Sequence, residues 1–135
     1  MKMRHREAAG ILVIKRMGES HKLLVLRTHD GKLDVPKGCM EEGETPFETA
    51  LRETVEEAGI ADVEFVWGTE SFFVGQTTTM YVARTKSSPV IRPNPVTDVL
   101  EHRGYSWVDV TTAPIMFEGH WLEPAICWAC EIVDG

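Results

Sequence analysis

A short acidic stretch, residues 38–60, constrains this chain more than any other part of its sequence. Thr45 is a good helix cap, Pro46 suits the first helical position, and Glu48 completes a capping box three residues after the cap. Gly59 suits the left-handed conformation that ends a helix. Between these signals apolar residues recur at steps of three and four, which predicts an amphipathic helix with one stripe facing a core.

The same stretch concentrates negative charge. Residues 37–60 hold seven glutamates and two cations, and so carry five of the seven net negative charges of the chain. Glu53, Glu56 and Glu57 lie on one face of the helix, because positions i, i+3 and i+4 are neighbours there. A solvated acidic face is the ordinary interpretation of such a pattern. Hard divalent cations prefer carboxylate oxygens, so a metal site is the functional alternative.

The spacing of the glycine, glutamate and arginine residues favours the second interpretation. Gly38 is followed after five residues by Glu44 and after seven more by R-E-T-V-E-E-A-G-I, residues 52–60. This pattern resembles the signature of the Nudix hydrolases, in which a loop–helix–loop binds divalent metal and a diphosphate. Thr54 is its one departure, at a position where an aliphatic residue is common. The resemblance implies an α/β (α+β) fold: an α/β/α sandwich with a mixed, partly antiparallel sheet, the signature helix on one face and the closing helix on the other.

The resemblance also implies roles for individual residues. Glu53, Glu56, Glu57 and Glu101 would bind Mg²⁺, with Mn²⁺ as an alternative, and Asp98 is the reserve for Glu101. The general base varies within this fold, so Glu53, Glu57 and Glu101 all remain candidates. The expected substrate-binding residues are Lys37, Gly38 and Tyr81, and the residues expected to support the site are Glu44, Arg52 and Gly59.

A second, shorter motif narrows the expected substrate. Glu101-His102, followed by Tyr105 and Trp107, is similar to the dinucleoside polyphosphate (diadenosine tetraphosphate) hydrolase branch of that family. The expected reaction is Mg²⁺-dependent hydrolysis of a phosphoanhydride in a nucleoside diphosphate linked to another moiety. The alternatives are a nucleoside triphosphatase, an ADP-ribose or nucleotide-sugar pyrophosphatase, an RNA 5′-pyrophosphohydrolase and a non-catalytic nucleotide-binding regulator.

Length and composition bound the remaining possibilities. The 135 residues, 43% of them hydrophobic, predict a single domain spanning residues 1–135. A net charge of −7 argues against binding along duplex nucleic acid, so we expect a small nucleotide as the partner. No apolar run approaches the length of a membrane span and no signal-peptide pattern opens the chain, so we expect a cytoplasmic protein without a membrane partner. The sequence leaves the oligomeric state open.

The three cysteines do not make a disulfide framework. Cys127 and Cys130 form one C-x-x-C, which raises zinc or redox chemistry as an option. They lie in an apolar helical segment without a second pair to complete four ligands. We therefore predict buried thiols.

The other predicted elements follow from local patterns. Gly75 and Gln76 separate two β-rich runs, which predicts a hairpin. Phe72, Phe73 and Tyr81 are better suited to the sheet faces or the core than to stacking on a base, and Trp121, Ile126 and Trp128 are predicted core residues. We predict strands at 7–15, 22–27, 63–74, 77–85 and 104–110, a surface loop at 87–97, a short helix opening at 111–114, and a closing helix at 122–132.

Overall fold

The computed structural model describes residues 7–91, 93 and 102–134, and a seven-stranded mixed sheet forms its centre. Strands β1 and β6 are parallel, and the other paired strands are antiparallel. The main path runs β3-β2-β1-β6-β5, while β4 pairs with β1 and β7 pairs with β2. The strands are β1 (Ala8–Met17), β2 (Ser20–Thr28), β3 (Leu33–Asp34), β4 (Lys37–Cys39), β5 (Phe72–Val74), β6 (Thr78–Arg84) and β7 (His102–Asp109).

Three helices complete the described fold, α1 (Pro46–Ala58), α2 (Ala113–Met116) and α3 (Glu123–Asp134). The predicted capping box is present, since the Thr45 side chain accepts from the Glu48 backbone and the Glu48 side chain accepts from the Thr45 backbone. Gly59 caps the other end with φ of 68°. Local sequence signals therefore gave correct bounds for α1.

Alternate residues of the central strands face two separate cores. Ile11 and Val13 pack with Ala50 and Ala58 of α1 on one face of the sheet. The intervening Leu12 faces the other side, where Ile126 of α3 is buried. This alternation is the period of two expected for a sheet covered on both faces. The expected α/β/α sandwich is confirmed.

The local predictions had mixed outcomes, and those for the strand 63–74 and for Trp121 were wrong. Of the predicted strand 63–74, β5 covers the last three residues, because a turn at Gly68 (φ 99°) interrupts the run. The hairpin at Gly75 and Gln76 is confirmed, with positive φ at both residues. Trp121 is exposed rather than in the core. Part of the predicted loop 87–97, namely residues 92 and 94–97, lies outside the described residues.

Candidate active site

Arg52 joins the signature loop to the signature helix. Its guanidinium lies against Glu44, with Nε 2.7 Å from Oε2 and Nη2 3.0 Å from Oε1. The same Nη2 donates to the carbonyl of Cys39 at 3.0 Å. Nη1 donates to Glu53 at 3.1 Å and to Glu56 at 3.0 Å, so one nitrogen atom holds both carboxylates close together.

The pair of Arg52 and Glu44 is a charge-assisted fork, the strong form of such contacts. The hydrogen bond from Arg52 lowers the pKa of Glu44 to about 2, and Glu44 raises the pKa of Arg52 above its usual range. Glu44 also accepts from the Thr49 hydroxyl and from the backbone of Glu41, both at 2.8 Å. This geometry fits the supporting role that the resemblance implies for both residues.

Glu57 lies in a largely enclosed position on α1. Burial is the main cause that raises its pKa to about 8, and the nearby carboxylates of Asp34 and Glu53 act in the same direction. The backbone N–H of Lys37 donates to Glu57 Oε1 at 3.0 Å and acts in the opposite direction. The charge of this carboxylate is therefore poorly compensated in the protein alone, a condition that a bound cation would relieve.

Two glycines let the loop approach the helix and the sheet. A side chain at Gly38 would collide with the Glu53 carboxylate, which packs directly against the glycine. A side chain at Gly10 would collide with the backbone oxygen of Pro36 and with Lys37, the residue paired with it on β4. Gly38 thus leaves room for a carboxylate of the site.

A buried ion pair beside Glu57 has no counterpart in the sequence prediction. His102 Nε2 lies 2.9 Å from Asp34 Oδ2, and Lys37 Nζ lies 2.9 Å from Asp34 Oδ1. Burial raises the pKa of Asp34, but the hydrogen bond from His102 and the charge of Lys37 outweigh it, so the net pKa is lowered. Asp34 and His102 are 68 positions apart in the sequence, so their pairing was invisible before the fold.

A cavity of about 510 Å³ adjoins this ion pair. Lys37 Nζ lies 5.6 Å from the centroid of the Trp121 ring, whose side chain is partly exposed, and the His120 and Trp121 rings are stacked 6.2 Å apart. A cation beside an exposed aromatic face suits a nucleotide, because the cation attracts a phosphate and the aromatic ring can stack on a base. The residues lining the cavity are Thr28, Lys32, Leu33, Asp34, Lys37, Gly119, His120 and Trp121.

The structure does not bring every predicted residue to this place. Tyr81 is buried in the core beneath α1, where its ring packs edge-on against Phe47 at 5.3 Å. The prediction of a substrate contact for Tyr81 therefore disagrees with its position, which follows from its inward register on β6. Glu101 and its reserve Asp98 lie outside the described residues. Gly59 ends α1, where its backbone N–H donates to the carbonyls of Thr54 and Val55, and its supporting role stays a prediction.

The donor chemistry of Glu53, Glu56 and Glu57 fits a hard divalent cation, since all three supply carboxylate oxygen. Their present positions are set by other partners: Arg52 holds Glu53 and Glu56, while the Lys37 backbone holds Glu57. Within the described residues, no three His, Cys, Asp or Glu side chains are arranged to hold an ion, the α3 thiols included. Binding would therefore require these carboxylates to turn from their present partners.

The two α3 cysteines lie on the opposite side of the sheet. Cys130 is buried and Cys127 is half-buried, and neither is in a disulfide. Burial raises the pKa of Cys130 to about 11, which keeps it as a thiol at neutral pH.

No helix in the described residues is long and apolar enough to cross a membrane.

Fold and site together define a Nudix domain, and a sequence profile of the NUDIX domain matches residues 4–129. The chain therefore belongs to the Nudix family. A 44-residue segment is 52% identical to Nudix hydrolase 3 of Caenorhabditis elegans, covering 32% of this chain and 18% of that protein. The matched segment thus spans less than a fifth of the length of that curated relative.

Solved structures share the fold at low sequence identity. The binary complex of the C. elegans Ap4A hydrolase superposes with a TM-score of 0.68 at 18% identity, covering 90% of this chain and 93% of that one. A second structure of the same enzyme gives 0.66 at 20% identity, covering 96% and 98%. At these identities the likeness concerns the fold. Enzymes of this family are pyrophosphohydrolases that act on small nucleotides and generally use divalent metal ions.

Proposed function

We propose that this chain hydrolyses a phosphoanhydride in a nucleoside diphosphate linked to another moiety, with a dinucleoside polyphosphate such as diadenosine tetraphosphate as the favoured substrate. One observation carries the proposal: a single arginine gathers Glu53 and Glu56 beside the loop that holds Glu57. The motif of Glu101, His102, Tyr105 and Trp107 supports the choice of substrate. The Ap4A hydrolase among the similar structures is consistent with that choice.

Glu53, Glu56, Glu57 and Glu101 are the proposed ligands of Mg²⁺, with Mn²⁺ as the alternative. When bound, such ions neutralise bridging phosphates, position water and stabilise the departing oxygen. Arg52 and Glu44 hold the loop against the helix, so that the glutamates keep one arrangement. Glu53, Glu57 and Glu101 are the candidates to take the proton of the attacking water.

Lys37 and the cavity beside Trp121 are the proposed contacts for the rest of the nucleotide. The Lys37 ammonium, held by Asp34, faces this cavity and would attract a phosphate. The exposed Trp121 ring offers a face for a base. Gly38 leaves the Glu53 carboxylate room beside the loop, so we propose that it acts through Glu53.

The test is a Mg²⁺-dependent hydrolysis panel of diadenosine tetraphosphate, ADP-ribose, nucleoside triphosphates and 5′-triphosphorylated RNA. ATP and AMP formed from the tetraphosphate at the highest rate would support the favoured substrate. Turnover of another member of the panel with an inert tetraphosphate would leave one of the alternative pyrophosphohydrolase reactions. Nucleotide binding without turnover of any member would favour the regulator.

Glu57→Gln removes the negative charge of the Glu57 side chain and keeps its shape. We expect at least about a hundredfold loss of turnover, the scale of removing one preorganised catalytic contact. Glu131→Gln is the matched control, since this exposed glutamate lies on α3 on the other face of the sheet. Mg²⁺-dependent turnover that survives Glu57→Gln would remove Glu57 from the proposed ligands.

A further inference from the structure

Basic side chains gather at the end of the sheet away from the signature loop. Lys15, Arg16, Arg84 and Lys86 line one cavity of about 510 Å³, together with Gly18 and Thr85. The whole chain has 14 lysines and arginines and a net charge of −7, so four cations around one cavity run against its overall charge. Arg16 lies six residues beyond Gly10 on β1, about 20 Å away at the rise of a β-strand. This basic cavity is therefore separate from the carboxylate site.

Arg84 lines the basic cavity and, within the described part of the chain, has an unpaired hydrogen-bond donor. Its Nε is buried and has no hydrogen-bond partner among the residues that the structure describes. Among the described residues its ion pair is with Glu64, whose Oε1 lies 3.7 Å from Nη2. A buried guanidinium N–H without an acceptor costs free energy. The Arg84 side chain as a whole is 36% exposed and lines the cavity, so an anion bound there can pair with its charge.

The neighbouring carboxylates do not neutralise the cavity. Asp62 accepts from the Thr85 hydroxyl at 2.6 Å and from the Lys86 backbone at 3.4 Å, which occupies both of its oxygens. Glu64 is half-exposed. The four cations line the cavity, whereas no Asp or Glu of the described residues is among its lining residues, so this part of the chain gives the cavity a positive charge.

The four cations differ in how freely they can turn to a ligand. Arg16 Nε donates to the carbonyl of Gly18 at 3.2 Å, which orients its guanidinium near the cavity. Lys86 is exposed at the rim. Lys15 donates to Ser88 at 3.3 Å and lies 5.6 Å from the Trp107 ring. Its ammonium therefore contributes mainly to the positive electrostatic potential of the cavity. Two guanidiniums and one exposed ammonium match a group with several anionic oxygens better than a single carboxylate.

We propose that Arg16, Arg84 and Lys86 form a second anion site, which binds the phosphate group of a small molecule apart from the carboxylate site. The cavity volume is in the range of small-ligand sites. The phosphate could belong to a free inorganic ion or to a nucleotide, since both present the same oxygens to the guanidiniums. This inference does not depend on which nucleotide the enzyme hydrolyses.

The test is a titration of ¹⁵N-labelled full chain with inorganic phosphate, pyrophosphate, AMP and ATP, in a chelator so that divalent metal does not recruit anions to the glutamates. We expect saturable amide shifts at Gly18, Thr85 and Lys86 that weaken as ionic strength rises. Saturation by phosphate or pyrophosphate would identify the free ion, and saturation by AMP or ATP alone would identify a nucleotide. Shifts confined to the loop around Gly38, or shifts that do not saturate, would overturn the proposal.

Matched variants separate the site from the general field of the protein. Arg84→Gln should weaken binding by about tenfold or more, the scale of a lost hydrogen bond to a charged group. Arg84→Lys keeps the charge but removes the Nε donor, and should also weaken binding. Lys86→Gln tests the same site from an exposed position that does not endanger folding. Arg103→Gln removes one charge from an exposed position on β7, at the Thr28 end of β2, and should leave binding unchanged. Equal effects of Arg103→Gln and Arg84→Gln would overturn the proposal.

Discussion

At the scale of single residues, the site depends on where a side chain is missing. Gly38 has a negative-φ strand conformation, so a turn does not explain the glycine there. The Glu53 carboxylate occupies the space that a Cβ would fill. The substrate contact expected at Gly38 stays a prediction, and the structure adds a reason for the glycine, which leaves room for the Glu53 carboxylate.

Gly38→Ala should therefore affect function more than folding. The colliding atoms are the far end of a flexible side chain, so the carboxylate can turn away at little cost to stability. We expect turnover to fall about tenfold to a hundredfold because Glu53 is displaced. Steady-state kinetics over a range of Mg²⁺ concentrations, with thermal unfolding of the same samples, would measure both effects.

Gly104→Ala is the matched control for that substitution. Gly104 lies on β7, has no positive φ, and an added Cβ would meet nothing within 4 Å. Its turnover should equal that of the unmodified chain. If Gly38→Ala and Gly104→Ala had the same kinetics, the contact between Gly38 and Glu53 would have no functional weight.

At the scale of elements, local sequence signals predicted helix α1 but failed for structure that depends on contacts between distant strands. The bounds of α1 were predictable because its cap residues lie within it and next to it. Strands β3 and β4 are two and three residues long and have no pattern of their own. β3 forms by pairing with β2, and β4 forms by pairing with β1 at Gly10, whose lack of a side chain admits the Pro36 backbone. The Asp34 and His102 pair escaped prediction for the same reason, since it joins β3 to β7.

Asp34→Asn should destabilise the protein in a pH-dependent way. The pKa of Asp34 in the folded protein is lowered from 3.8, so its carboxylate contributes stability above pH 3.8 that is lost as the pH falls. At neutral pH we expect a loss of roughly 1–3 kcal/mol, the cost of removing one partner of a buried hydrogen-bonded pair. Urea unfolding in a chelator, at neutral pH and at successive values below 3.8, would measure the difference.

The control for this pair is Asp109→Asn, whose carboxylate lies 3.3 Å from Lys22 and is more exposed than Asp34. Ion pairs of this kind contribute little, so its effect should be small. The difference between Asp34→Asn and the unmodified chain should shrink in acid. A difference that stayed constant across the whole pH range would show that the stabilisation does not come from the ionised carboxylate.

At the scale of the whole molecule, the sheet separates two tasks. Helix α1, which covers one core, carries the glutamates. The core under α3 holds the largest buried side chains of the closing segment, including Phe117, Leu122 and Ile126. The sandwich was predictable from the family resemblance and from the order of strands and helices. The exposure of Trp121 was not, because its contacts with Gly75 and Lys37 come from distant parts of the chain.

This separation makes stability and activity independently changeable. Ile126→Ala truncates a fully buried side chain on α3 and should lower the free energy of unfolding by about 2–5 kcal/mol, the range for such a cavity. Val55→Ala removes an exposed aliphatic group from the signature helix itself, and should change stability by less than about 0.5 kcal/mol. Well below its unfolding midpoint, Ile126→Ala should keep full turnover per folded molecule, because the sheet lies between it and the glutamates. Denaturant unfolding and active-site-normalised rates would test this, and a loss of turnover without a loss of stability would show that the two faces are coupled.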